Sequence, residues 1–180
     1  IPGSEDMLLA WNGAEYGWGI IRVAEDGRKK WGSKHGAAHL VCDGERFYAL
    51  DQGGFHAAPG VKVFDVKDSR PLSFEGKSYA ALPPVEDDAK NHMTGLALLD
   101  GKLYVSYKAR DVVAVFDAAD AKQLATIDVP SPTHLAAGPE NTVYAVSGEK
   151  VVQIDTAGNR VRPFVSSHLD QPRGIAVHDD

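Results

Sequence analysis

Pro172-Arg173-Gly174-Ile175-Ala176-Val177-His178-Asp179-Asp180 ends the sequence on the pattern of a first strand, a short apolar run that opens on a small residue and stops at acidic ones. The same pattern stands upstream at His39-Leu40-Val41, Gly95-Leu96-Ala97 and His134-Leu135-Ala136, so that positions 39, 95, 134 and 174 are 56, 39 and 40 residues apart. Each of the three upstream runs is followed by a richer one: Phe47-Tyr48-Ala49-Leu50-Asp51, Leu103-Tyr104-Val105-Ser106-Tyr107 and Val143-Tyr144-Ala145-Val146-Ser147. A third run follows in turn at Val61-Lys62-Val63-Phe64-Asp65, Val113-Ala114-Val115-Phe116-Asp117 and Val151-Val152-Gln153-Ile154-Asp155. A weaker fourth is found at Pro71-Leu72-Ser73-Phe74, Gln123-Leu124-Ala125-Thr126-Ile127 and Val161-Arg162-Pro163-Phe164. The N-terminal part supplies a second, third and fourth run, Met7-Leu8-Leu9-Ala10-Trp11, Ile20-Ile21-Arg22-Val23 and Arg28-Lys29-Lys30-Trp31, without a first.

Runs of four to six residues rich in β-branched and aromatic side chains, bounded by Gly, Asp and Asn, read as strands. The unit is four antiparallel strands in about 40 residues, a period that points to β-propeller blades, in which each small sheet buries its faces against its neighbours. Gln171-Pro172-Arg173-Gly174-Ile175-Ala176-Val177 resembles the opening of blades in NHL-type and related propellers, and Val151-Val152-Gln153-Ile154-Asp155 resembles their third strand. The resemblance implies an all-β propeller fold and no particular activity, since propellers host unrelated functions. The expectation is one propeller domain over 1–180, with blades at 1–36 plus 172–180, 37–74, 92–131 and 132–171, and an inserted loop at 75–91. Two architectures stay open. Either the strand in 172–180 pairs with Met7 to Trp11 and completes the N-terminal blade, which removes an exposed sheet edge, or the chain is a four-blade arc of a larger propeller. An incomplete ring would leave the chain open to self-association.

Composition narrows the partners. The 25 acidic residues against 19 basic ones, a net charge of -6, create no general field for nucleic acid or an anionic membrane surface. No apolar run reaches the roughly 20 residues that cross a bilayer as a helix. Cys42 is the sole cysteine, so an internal disulfide is excluded, and the compartment stays open between the cytoplasm and an exported, periplasmic or extracellular location. With Ile at position 1, a processed chain or a segment of something longer is expected.

Loops between second and third strands lie on the same side of a blade as the links between blades, and function tends to gather on such loops. Tyr16, Trp18, Phe55, His56 and Arg110 fall on them, and Arg173 begins the last first-strand; together these are the candidate ligand-binding residues, with aromatic rings offering contact area at low entropic cost. His39 and His134 occupy the same position at the start of first strands, His92 precedes the matching Gly95, and His35 lies on the approach. Imidazoles converging at a channel mouth would suit zinc or a similar divalent metal. Amidating lyases with an NHL-type propeller are similar in kind, but their His stands one position earlier, where this sequence has Ala38, Thr94, Thr133 and Arg173. Hydrogen-bonded channel lining accounts for His39 and His134 as well. Asp65, Asp117 and Asp155 close third strands, where a carboxylate capping the next turn explains them without catalysis. The sequence shows no phosphate-binding glycine loop, nucleophile elbow or paired cysteines. Two functions follow: a binding module presenting a loop-rich face to a protein, peptide or carbohydrate, or a metal-dependent hydrolase or lyase using the His set.

Overall fold

The computed structural model describes residues 1–12, 18–53, 58–165 and 169–177. They form two compact units, 1–81 and 82–180, built from antiparallel sheets joined in chain order.

In the first unit, β1 (Met7–Asn12), β2 (Trp18–Val23) and β3 (Lys29–Ser33) make one sheet, and β4 (His39–Cys42), β5 (Arg46–Asp51) and β6 (Gly60–Asp65) make the second. Alternation along each strand sends one set of side chains into a shared core: Ile20 and the half-buried Leu8 and Trp31 from the first sheet meet Phe47, Ala49 and Phe64 from the second. Trp31, Phe47, Phe64 and His35 stack in a row with centroid separations of 5.7, 5.0 and 4.7 Å. At the edge of this core Asp6, its side chain only 7% exposed, accepts from Lys30 Nζ at 2.7 Å and Arg22 Nε at 2.6 Å. Those two cations, Lys30 foremost, hold its carboxyl below the usual range against the opposing effect of burial. Arg22 Nη1 and Trp31 Nε1 both donate to the Val66 carbonyl, which follows β6, so the first sheet is tied to the second by polar contacts as well as by packing.

In the second unit, β7 (Met93–Leu99), β8 (Lys102–Tyr107), β9 (Val112–Asp117) and β10 (Gln123–Asp128) form the third sheet. The fourth consists of β11 (Pro132–Gly138), β12 (Thr142–Ser147), β13 (Lys150–Asp155) and β14 (Arg160–Val165). Tyr104, Val113, Val115 and Ile127 of the third sheet and Leu135, Val143, Ala145, Val152 and Ile154 of the fourth share the second core. The two first strands come unusually close. A Cβ on Gly95 would lie 1.9 Å from the Thr133 carbonyl oxygen, so only glycine allows this approach. The Thr94 hydroxyl donates to Pro132 O at 2.9 Å and the fully buried Ser106 hydroxyl to Thr133 O at 2.5 Å, stitching the strands across the gap.

The recurrent aspartates behave as the sequence predicts. Asp65, Asp117 and Asp155 each accept, through Oδ1, the backbone N–H two residues on, from Lys67 at 2.8 Å, Ala119 at 2.7 Å and Ala157 at 3.1 Å. Three expectations change in detail. The fourth strand of the second sheet is not continuous: Pro71 has no N–H to give, Leu72 donates to Val63 O, a tight turn over Phe74 to Lys77 follows, and the pairing resumes as Val61 with Ala80. The insertion therefore begins inside this strand, and Ala80, expected in the loop, belongs to the sheet. Its far end is ordered as a 3-10 helix at Asp88–Asn91. Finally, residues 172–177, expected to contribute a first strand, form no strand, and β1 pairs with β2. Nothing stands within 4 Å of where a Gly174 Cβ would be.

Candidate functional site

The second unit carries a cleft of about 420 Å³ at one end of its strands, lined by Ala89, His92, Thr94, Lys108, Ala109, Asp111 and Ser131. The 3-10 helix Asp88–Asn91 forms one wall; the other is a second 3-10 turn, Lys108–Arg110, which links β8 to β9. Thr94 and Ser131 belong to the strand ends and the link between the third and fourth sheets.

The insertion is held by specific contacts rather than by core burial, since none of the residues in its 3-10 helix is buried. Asp87 caps that helix by accepting the Ala89 N–H at 3.0 Å. Asn91 accepts the Val85 N–H and donates to the Val85 carbonyl, closing the loop on itself. Arg110 reaches across from the opposite turn, donating to Lys90 O at 2.8 Å, Pro83 O at 2.6 Å and Asn91 Oδ1 at 2.7 Å. Its guanidinium lies 5.5 Å from the centre of the Tyr107 ring, a cation–π distance. The Tyr107 hydroxyl accepts the Leu82 N–H at 2.8 Å and so anchors the start of the insertion. Burial pushes this phenol up to about 12, against the smaller opposing effects of that hydrogen bond and of Arg110.

Asp111 also serves the frame. It stands in the left-handed region at φ 56° and ψ 37°, ends the 3-10 turn, and accepts the Ser131 N–H through Oδ1 at 2.6 Å. With Thr94 bonded to Pro132, the walls use their own carboxylate and hydroxyl groups for support. His92 and Lys108 stand exposed at the rim. A cation and an imidazole over a preformed hollow suit the recognition of a polar or anionic group on a larger partner.

The candidate residues named from the sequence scatter. Arg110 is at the site but acts on the insertion's own carbonyl groups. His92 lines the cleft. His39 opens β4 opposite Leu50 and is half-buried in the first unit, while His134 is half-buried within β11 of the second. Within either unit, no group of three or more His, Cys, Asp and Glu among the described residues stands close enough to share a metal ion. His35 packs on Phe64, and burial, its largest influence, lowers its proton affinity. Trp18 begins β2, and Arg173 is exposed outside any strand. Tyr16, Phe55 and His56 lie outside the described residues. Lys108, Asp111 and Ser131 were not singled out from the sequence; the one available signal was the pair of cations in Lys108-Ala109-Arg110-Asp111, placed between strands where a turn must fall.

No protein-family model and no curated protein matches this sequence. Solved structures do. A chain of the nidogen/laminin complex aligns with 87% of this chain and 59% of its own length at a TM-score of 0.61 and 15% identity. Glutaminyl cyclase from Myxococcus xanthus aligns over 79% of this chain and 59% of its own at 0.53 and 16%. BamB from Moraxella catarrhalis does so over 85% and 47% at 0.50 and 13%. All three are β-propellers, and at these identities the likeness concerns the fold alone. The chain spans roughly half to three fifths of the length of these structures. The four antiparallel sheets are thus propeller blades, each strand following the last in the order that the repeats predict.

Proposed function

We propose that this chain is a non-enzymatic propeller module that binds a protein or peptide partner through the cleft between the insertion and the Lys108–Arg110 turn. The observation that carries the reading is the rigid framing of that cleft. Three hydrogen bonds from Arg110, the capping contacts of Asp87 and Asn91, and the Asp111–Ser131 contact hold the backbone around a hollow whose rim presents Lys108 and His92. Preorganised walls reduce the entropy lost on binding. The exposed Val85 of the same insertion adds apolar contact area to the polar rim, a composition suited to a peptide segment. One of the solved propellers it resembles comes from a complex of two proteins, nidogen and laminin, while another is a glutaminyl cyclase, so fold alone does not choose.

Lys108 gives the reading its chemical direction, toward a partner that brings a carboxylate or another acidic group to the rim. Screening immobilised peptide and glycan libraries with the purified chain tests it. The expected result is a set of acidic peptide ligands whose affinity falls about tenfold or more in Lys108→Glu, the scale on which charge reversal acts at a recognised ion pair. Ligands that are all neutral glycans, or peptide binding unchanged in Lys108→Glu and His92→Ala, would contradict it.

A further inference from the structure

The turn Lys108-Ala109-Arg110-Asp111 puts two opposite charges on one wall of the cleft, at its first and last residues. Asp111 N–H donates to Lys108 O at 3.3 Å, the contact that closes a 3-10 turn. At a rise of roughly 2.0 Å per residue the two positions stand about 6 Å apart along it. Arg110, between them, is engaged by the insertion. Opposite charges three residues apart on a helical turn can pair with each other. Lys108 and Asp111 do not, and among the described residues neither side chain takes part in an ion pair.

The Asp111 carboxylate is nevertheless fixed in place. The fully buried Val129 donates its N–H to Asp111 O at 2.9 Å, and the Ser131 N–H holds Oδ1 at 2.6 Å. The other oxygen, Oδ2, accepts no hydrogen bond among the described residues, and Asp111 is exposed where it lines the cleft. Lys108 is exposed on the same lining. A carboxylate oriented before binding loses little freedom when a cation arrives.

We propose that the cleft recognises a pair of opposite charges on its partner, an acidic side chain at Lys108 and a basic one at Asp111 Oδ2, carried on an extended segment with one residue between them. The proposal deepens the peptide-binding reading of the cleft and rests on it. An extended chain returns a side chain to the same face at every second residue, about 7 Å along. That spacing is close to the separation of Lys108 and Asp111 along their turn. The pair also sets a selectivity: a segment with two acids brings the second against Asp111, where like charges oppose binding.

An array of blocked peptides in a glycine–serine background tests the pair. Each peptide carries one glutamate and, in turn, no lysine, a lysine two residues before or after it, or a lysine five residues away. Binding about fivefold or more above the glutamate-only peptide is expected for one of the two-residue spacings, with no gain at five. Asp111→Asn keeps an oxygen for the Ser131 N–H and a residue suited to φ 56°, so the turn stays and the charge goes. The lysine gain is expected to vanish in that variant while the glutamate-only signal is retained. Norleucine in place of the peptide lysine is expected to do the same with the unaltered chain, a check that depends on no variant folding. A lysine gain that is absent, equal at the five-residue spacing, or unchanged in Asp111→Asn overturns the charge pair. The peptide-binding reading survives that result if Lys108→Glu still weakens the glutamate-only peptide. If no peptide binds, or Lys108→Glu leaves that signal unchanged, the reading falls and the charge pair with it.

Discussion

At the residue scale, two positions show how the fold uses single side chains. Gly95 permits β7 to pass against the Thr133 carbonyl, and a methyl there would also come within 2.7 Å of the Ser106 hydroxyl. Because both obstacles belong to strands in the shared core, Gly95→Ala is expected to cost about 1–3 kcal/mol, the usual range for overpacking, as measured by the denaturant midpoint. Gly174→Ala, where nothing stands within 4 Å, serves as the control and is expected to change the midpoint little. Tyr107 contributes to alkaline stability. Its phenol is pushed from 10.0 unfolded to about 12 folded, so its contribution is complete below pH 10 and is lost as pH rises from 10 through about 12. Tyr107→Phe is expected to flatten that alkaline fall in an unfolding titration. At neutral pH it should cost about 0.5–1.5 kcal/mol, because the Leu82 N–H loses its acceptor. Neither role was readable from the residue itself. Gly95 and His134 hold the same repeat position, and only the path of the neighbouring strand makes one of them obligatory.

At the scale of elements, the strands were readable because period and composition agree: the runs ending in Asp65, Asp117 and Asp155 became β6, β9 and β13, each with its aspartate capping the turn. The fourth strand of the second sheet was not, because Pro71 interrupts the ladder and the pairing resumes at Ala80, inside residues that read as a loop. The insertion itself gave a length and no geometry. Its order comes from Arg110, which sequence reasoning placed among the ligand-binding residues and the structure places on Lys90, Pro83 and Asn91. Arg110→Ala is therefore expected to raise hydrogen exchange several-fold across 83–92 while leaving β8 and β9 protected, the pattern of a locally opened segment on an intact sheet. Equal acceleration in the strands would mean that the contacts support the whole unit.

At the scale of the whole molecule, composition excluded little and the repeats decided most. Four sheets of propeller type were present in the spacing of Leu8, Tyr48, Tyr104 and Tyr144, and the structure supplies them in that order. The cleft was hidden because its residues come from three separate segments, 89–94, 108–111 and 131, each unremarkable alone. Among the described residues of either unit no group of three or more His, Cys, Asp and Glu could hold a metal ion, and the expected His set draws on both units, with His39 in the first and His92 and His134 in the second. The proposed site for the partner is the framed cleft. Backbone amide NMR during titration with an acidic peptide selected by the chain tests it most directly. Shifts concentrated on residues 88–94, 108–111 and 131 and abolished by Lys108→Glu are expected; shifts centred elsewhere, on the strand faces of the first unit for example, would contradict a binding role for the cleft.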